Sequence, residues 1–321
     1  MKINYISHLD PYSFNGGGEM VMRDIIDGGR VRGLDIEVIS ARPDYQKELP
    51  EADIHILCDL FNEPTRKERL SRNLIEKVVY KKKYVHFDNS YVDVCDLDYL
   101  PCNGANSGGC KYKSIYNLRQ NIRRRSFNKD CFQNNPIVKD LYNNSIFNTF
   151  VSPLHKNIIY RQLRLDKNDD FILKPTVDTD IFYNQKNERD IDYIFAGAIS
   201  EAKGIENLMR FFSGRKERLV LIGKDLYGKK LPFADYVGFL PYEEMPKYFN
   251  RAKNFVYLPR WPEPQGRVVV EAALCGCNLI TNENVGATSF DFDISDPTNL
   301  AGAVDEFWAH FIAKAQGANA I

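Results

Sequence analysis

The chain has 321 residues, 44% of them hydrophobic and 27% charged, which suits two globular domains of ordinary size, each with its own core. Its 43 basic and 43 acidic residues cancel, the first 174 positions summing to +4 and the rest to −4, which argues against a dedicated nucleic-acid binder. No apolar run approaches the ~18 residues that span a bilayer and the first, at 3–6, is too short for a signal peptide, so with an odd count of 7 cysteines the expectation is a cytoplasmic chain with reduced thiols.

In chain order, KINYIS from Lys2 reads as a short buried strand, and the loop HLDPYSFNGGG leads to a helix from Glu19. Strands follow at 34–40 and 52–58, then a polar helical run at 63–79 and the strand KYVHF at 83–87. Residues 88–135 show no clear alternation and contain a basic helical stretch, YNLRQNIRRRSFNK. A strand at 148–152 and a helix at 153–163 close the first half, and FILKPTVDTDIF from Phe171 leads into the second. There the alternation resumes: strand DYIFAG, helix KGIENLMRFF, strands RLVLIG and ADYVGFL, helix EEMPKYFNRA and strand FVYLP. A further helix, the strand NLIT and a helical tail, PTNLAGAVDEFWAHFIAKA, complete the chain. Alternating strands and helices predict an α/β architecture with parallel, doubly wound sheets. The expected domains are 1–172 and 173–300, with 301–321 a helix that is a candidate to pack back toward the first domain.

The stretch YLPRWPEPQGRVVVEAALCGCNLITNENVGA, starting at Tyr257, carries the most chemistry. Pro262, Pro264 and Gly266 shape a loop before a helix, and Glu263 and Glu271 flank that helix start, eight positions apart. The unpaired first-turn N–H groups near Gly266, Arg267 and Val268 form an anion site. Glu271, about a turn further in, can offer acceptor oxygens to a vicinal diol such as ribose. Glu263 sits ahead of the helix, on the sugar side of a bound diphosphate. The alternative is a helix after a proline-rich loop with two incidental acids.

With Leu258, Pro259, Glu263, Pro264, Gly266, Glu271, Ala272, Cys275 and Gly276 in position, this stretch resembles the E-x7-E signature of retaining, nucleotide-sugar-dependent glycosyltransferases of the GT-B fold, in particular family 4. Gln265 stands where that family usually has an aromatic residue. The resemblance implies two Rossmann-like doubly wound domains facing across a cleft, the first on the acceptor side and the second binding the nucleotide-sugar. It implies a glycan, lipid-linked or other hydroxyl acceptor, a place in polysaccharide biosynthesis, and no cofactor or divalent metal. Gly16-Gly17-Gly18-Glu19 fails the G-x-G-x-x-G fingerprint but resembles the family's GG-x-E loop, whose glycines approach the donor phosphate. The segment IFAGAISEAKGIENL resembles another family motif; Lys203 and Gly204 match it, and Lys203 would face the diphosphate leaving group. Ala198 stands where the family often has arginine, so one phosphate-binding cation is missing, and Arg260 or Arg267 are candidates to compensate. Lys174 opens KPTVDTDIF, similar to the family's segment between domains. His86, at the carboxyl end of a strand, corresponds to a family histidine facing the sugar; the alternative is a structural strand histidine. The implied catalytic set is Lys203, Glu263 and His86. The implied donor-binding set is Gly17, Gly18, Gly197, Lys203, Arg260, Glu263, Gly266, Arg267, Val268 and Glu271.

Asp178-Thr-Asp180 and Asp96-Leu-Asp98 each spell D-x-D, a metal motif of a different glycosyltransferase fold, and are read as incidental. Cys95, Cys102, Cys110 and Cys131 lack zinc-site spacing. The basic stretch with Arg119, Arg123, Arg124, Arg125 and Lys129 reads as a solvated face, or as a contact for an anionic membrane surface or a phosphate-bearing acceptor. Two other functions stay open: a non-catalytic partner subunit on the same fold, and a sugar phosphorylase or epimerase.

Overall fold

Continuous apolar runs become strands covered on both faces. IHILC of β3 (Ile54–Cys58) and YVHFD of β4 (Tyr84–Asp88) are buried at every position, as inner strands of a doubly covered parallel sheet are. The computed structural model describes residues 1–13, 16–40, 49–60, 72–95, 99–100, 136–165 and 169–317. The basic stretch at 119–129, Asp96, Asp98 and the cysteines at 102, 110 and 131 lie outside the described residues.

The first sheet has six parallel strands in the order β2-β1-β3-β4-β5-β6. Its other strands are β1 (Lys2–Ser7), β2 (Asp35–Ile39), β5 (Asn148–Phe150) and β6 (Asp170–Ile172), and its helices are α1 (Gly17–Val31), α2 (Arg72–Lys81), α3 (Pro136–Asn143) and α4 (Pro153–Leu163). The second sheet is also parallel, with five strands in the order β11-β10-β7-β8-β9. In chain order it comprises β7 (Ile191–Ala196), α5 (Ile205–Phe211), β8 (Leu219–Ile222), β9 (Ala234–Gly238), α6 (Met245–Phe249), β10 (Ala252–Tyr257), α7 (Arg267–Leu274) and β11 (Asn278–Thr281). Two helices close the chain, α8 (Pro297–Leu300) and α9 (Ala303–Gly317).

The chain divides into two units, one of Met1–Val151, His155–Leu173 and Gly302–Ile321, the other of Ser152–Leu154 and Lys174–Ala301. Helix α9 therefore completes the core of the first unit, where Phe307, Trp308 and Phe311 join Ile3, Val21, Ile25 and Phe87. Trp308 Nε1 donates to the Ile25 carbonyl at 2.8 Å, and a side chain at Gly29 would meet its ring at 2.5 Å, so glycine at that position admits the indole.

Several boundaries differ from the sequence expectation for local reasons. The expected 297–315 helix is two helices: Asp296 caps α8 by accepting from Thr298 N, and Gly302, at φ 73°, turns the chain between them. The EEMPKYFNRA segment forms a 3-10 turn at Tyr242–Glu244 and then the five-residue α6, because Pro246 has no N–H to continue an earlier helix. The segment FILKPTVDTDIF overlaps the edge strand of the first sheet, Asp170–Ile172, inside the expected 1–172 domain, and the second unit resumes at Lys174.

Candidate functional site

In the second sheet the strand order reverses between β7 and β10, and ligands of open parallel sheets collect at the carboxyl ends of strands at such a point. Both family-like segments emerge there. The Lys203 segment follows β7, and the Glu263–Glu271 stretch follows β10.

The segments are brought together by backbone packing. Gly204, at φ 85°, lies so close to the Leu258 carbonyl that a β-carbon would fall far inside van der Waals contact. Asn207 Nδ2 donates to that carbonyl at 2.8 Å, and the side-chain amides of Asn282 and Asn284 donate to the Pro259 carbonyl at 2.9 and 3.1 Å. The loop is thus held on both sides before it reaches Glu263, whose N–H donates to Asn284 O at 2.7 Å. Helix α7 is capped at its start by Gly266, left-handed at φ 81°, which supplies no side-chain hydrogen bond to the first turn, while its carbonyl accepts from Val269 N at 2.8 Å. It ends in a Schellman motif: Gly276 at φ 82° donates to Ala273 O, and Cys277 N to Ala272 O. The helix is buried on nearly every face, with Val269, Val270, Ala272, Ala273 and Leu274 in the core of the second unit.

The two glutamates are held in matching ways, each by a cation and a tyrosine. Glu263 Oε2 pairs with Lys203 Nζ and accepts from Tyr257 OH at 3.1 Å. Glu271 Oε1 accepts from Tyr242 OH at 2.9 Å and Arg267 Nε at 3.1 Å, and Arg267 Nη2 donates to Tyr242 OH at 3.2 Å. Burial works against the charge on Lys203, but the Glu263 carboxylate and Tyr257 outweigh it, holding the ammonium above its ordinary pKa. Burial pushes the Glu271 carboxyl up, opposed by Arg267 and Tyr242.

Of the remaining expected donor residues, Gly197, Arg260 and Val268 fall in the same unit. Gly197, at φ 135°, follows β7 and donates its N–H to Ile222 O at 2.9 Å; the neighbouring Gly223 packs on the Gly197 carbonyl. Val268 lies in the first turn of α7. Arg260 and Arg267, candidates to replace the cation missing at Ala198, both lie against carboxylates: Arg260 on Glu201 and, at 3.2 Å, Glu206, and Arg267 on Glu271. Along the same carboxyl edge, beyond Gly197, a cavity of about 450 Å³ is lined by Gly223, Lys224, Asp225, Lys230, Tyr236, Val237, Gly238 and Phe239.

Gly17, Gly18 and His86 belong to the first unit. Gly17 and Gly18 form the first turn of α1, and Asn89 Nδ2 donates to Gly18 O at 3.2 Å. His86 is fully buried; its Nε2 lies 3.3 Å from Asp93 Oδ2, and its ring meets Tyr142 edge-on. Its neighbour Asp88 accepts from Tyr142 OH at 2.5 Å, and burial raises its pKa. The sequence reading misses Tyr242 and Tyr257. Tyr257 closes β10 six residues before Glu263, a weak local signal, whereas nothing in the local pattern links Tyr242 to a glutamate 29 positions on.

Residues 176–290 match the family model described as Glycosyl transferases group 1. That match includes Lys203 and both glutamates. The whole chain is similar to HepE (Alr3699) of Anabaena, solved in complex with UDP and with UDP-glucose; against the UDP complex the TM-score is 0.55 at 14% identity, covering 100% of this chain and 94% of that one. AviGT4, a glycosyltransferase involved in avilamycin A biosynthesis, gives 0.51 at 14% identity, covering 98% and 95%. WaaG, a glycosyltransferase involved in lipopolysaccharide biosynthesis, gives 0.51 at 14% identity, covering 98% and 93%. At such identities the likeness establishes the fold, and the two parallel-sheet domains have GT-B architecture. No curated protein sequence matches the chain. Among the described residues no helix is long and apolar enough to cross a membrane.

Proposed function

We propose that the chain is a retaining, family-4-type glycosyltransferase that moves a hexosyl group from a nucleotide-diphosphate-sugar to a hydroxyl of a glycan or lipid-linked acceptor. The observation that carries this reading is the pair of tethered glutamates, Glu263 just ahead of α7 and held by Lys203, and Glu271 within α7 and held by Arg267 and Tyr242. In this reading the diphosphate lies against the first-turn N–H groups of Gly266, Arg267 and Val268 and against Lys203. An ammonium has three donors, so Lys203 can keep Glu263 and still reach a phosphate oxygen. The ribose meets Glu271, the donor sugar meets Glu263, and the base enters the cavity beside Phe239. Charge growing on the leaving diphosphate is met by fixed donors, which requires no metal in this reading. Gly17 and Gly18 keep the donor-phosphate role and His86 the sugar-facing role that the family resemblance implies, and the basic 119–129 stretch serves a membrane or phosphate-bearing acceptor.

A thermal-shift panel of UDP-, GDP-, ADP- and CDP-linked sugars tests the donor, with UDP first because HepE is solved with it. Wild type is expected to be stabilised by one of them and to release its nucleoside diphosphate slowly. Glu271→Ala is expected to weaken that donor by about tenfold or more. Equal affinity in both proteins removes the ribose assignment. A second reading, a donor-binding but inactive subunit, is favoured by Ala198 and by the carboxylate partners of Lys203, Arg260 and Arg267. Tight donor binding with neither hydrolysis nor transfer would select it.

A further inference from the structure

Helix α7 carries a buried ion pair in an arrangement that helix stability does not explain. Arg267 and Glu271 stand at i and i+4 and are only 8% and 4% exposed. A cation in the first turn with the acid one turn later is the unfavourable order for the helix dipole. Burying both ions costs more than an apolar pair of the same volume would. The pair is nonetheless fully engaged on one side: Glu271 Oε1 receives Arg267 Nε and Tyr242 OH, Arg267 Nη2 returns to Tyr242 OH, and the guanidinium lies 5.8 Å from the Tyr242 ring centre. Glu271 Oε2 accepts no hydrogen bond among the described residues.

We propose that Arg267 and Tyr242 are positioning residues that lock Glu271 by Oε1, leaving Oε2 as the one oxygen offered to the vicinal diol of a bound nucleotide. This rests on the donor-site reading above and assigns the Arg267 side chain to the carboxylate rather than to the diphosphate. A carboxylate with one fixed oxygen loses little freedom on binding, so recognition falls on the diol and not on the charge of the ligand. Tyr242 follows β9, so the clamp also ties the base-side loop to the ribose-side helix.

The test titrates wild type, Arg267→Leu, Arg267→Lys and Tyr242→Phe with UDP, 2′,3′-dideoxy-UDP and inorganic pyrophosphate; if another base binds better in the panel above, its diphosphate and dideoxy analogue replace the uridine pair. Wild type is expected to prefer the diol-bearing nucleotide by about tenfold. In Arg267→Leu and Tyr242→Phe that preference should fall to about twofold, with dideoxynucleotide and pyrophosphate affinity unchanged, and Arg267→Lys should recover part of it. Should Arg267→Leu misfold, Tyr242→Phe and Arg267→Lys carry the test. Loss of pyrophosphate and dideoxynucleotide affinity in step with the diol ligand would make Arg267 a phosphate ligand and overturn the clamp. A wild type that binds but ignores the diol also overturns it, while leaving the donor site standing. A wild type that binds no nucleoside diphosphate overturns both.

Discussion

Burial sets the charge of single groups on the carboxyl face of the first sheet, and it does so in opposite senses at Asp59 and His155. Asp59 follows β3 in a left-handed conformation, φ 50°, and accepts from Ser90 Oγ at 2.6 Å. Burial first, and the Asp93 carboxylate second, raise its pKa to about 7. His155 has its Nε2 3.0 Å from Ser90 O, and burial lowers its pKa to about 3. A raised native pKa on Asp59 means stability present in full below the ordinary carboxylate value and lost as pH rises to about 7. A depressed native pKa on His155 means stability present above the ordinary histidine value and lost as pH falls toward 3. Between about pH 4.5 and 6.5 the two slopes oppose each other. Asp59→Asn removes one of them without new backbone strain, since asparagine also tolerates the left-handed region. Its unfolding free energy should therefore rise with pH more steeply than that of wild type over this window, by up to about 1.4 kcal/mol per pH unit. Urea unfolding at three pH values checks this, and parallel curves for the two proteins would count against the Asp59 assignment.

Between elements, the decisive feature is the crossing of the Lys203 segment over the loop after β10. Gly204 and Gly214 share the same backbone sense, φ 85° and 79°, but a side chain at Gly204 would strike Leu258 O, while one at Gly214 meets nothing within 4 Å. Gly214→Ala should cost about 1 kcal/mol, the left-handed penalty alone. Gly204→Ala should cost about 3 kcal/mol or more and weaken nucleotide binding, because Lys203 is carried away from Glu263. Similar denaturation midpoints for the two variants would show that the crossing can relax. This crossing is where legibility in the sequence ends. The strands can be read because doubly covered parallel strands are unbroken apolar runs, and Glu263, Glu271 and Lys203 stand out by local spacing. Their partners do not: the Lys203–Glu263 pair spans 60 positions, and the tyrosines look like any core aromatic. Helix α3 escapes because it is short and follows a stretch without periodicity; Pro136 at its start and the spacing of Ile137, Val138, Leu141 and Tyr142 are the available signals.

Over the whole molecule, the chain returns to its first unit after finishing its second. All the described core packing of α9 falls within the first unit, through Phe307, Trp308 and Phe311, each fully buried. Losing Trp308 alone should cost about 3–5 kcal/mol, and a domain's whole stability is about 5–15 kcal/mol. A chain ending at residue 301 is therefore expected to lose the cooperative unfolding of the first unit. The sequence supplies its own probes, because its 2 tryptophans are divided between the units, Trp308 in the first and Trp261 in the second. Trp261 is buried beside the Arg260 guanidinium, next to the Glu263 loop, so its fluorescence reports on the candidate donor site. In the truncated chain the Trp261 transition should keep its denaturant midpoint while the far-UV signal loses the contribution of the first unit. A Trp308→Phe full-length protein gives the reference trace, with Trp261 as its only emitting indole. If truncation lowers the Trp261 midpoint below that of the Trp308→Phe reference, the two units unfold as one, and the last helix supports the candidate donor site as well as the first sheet.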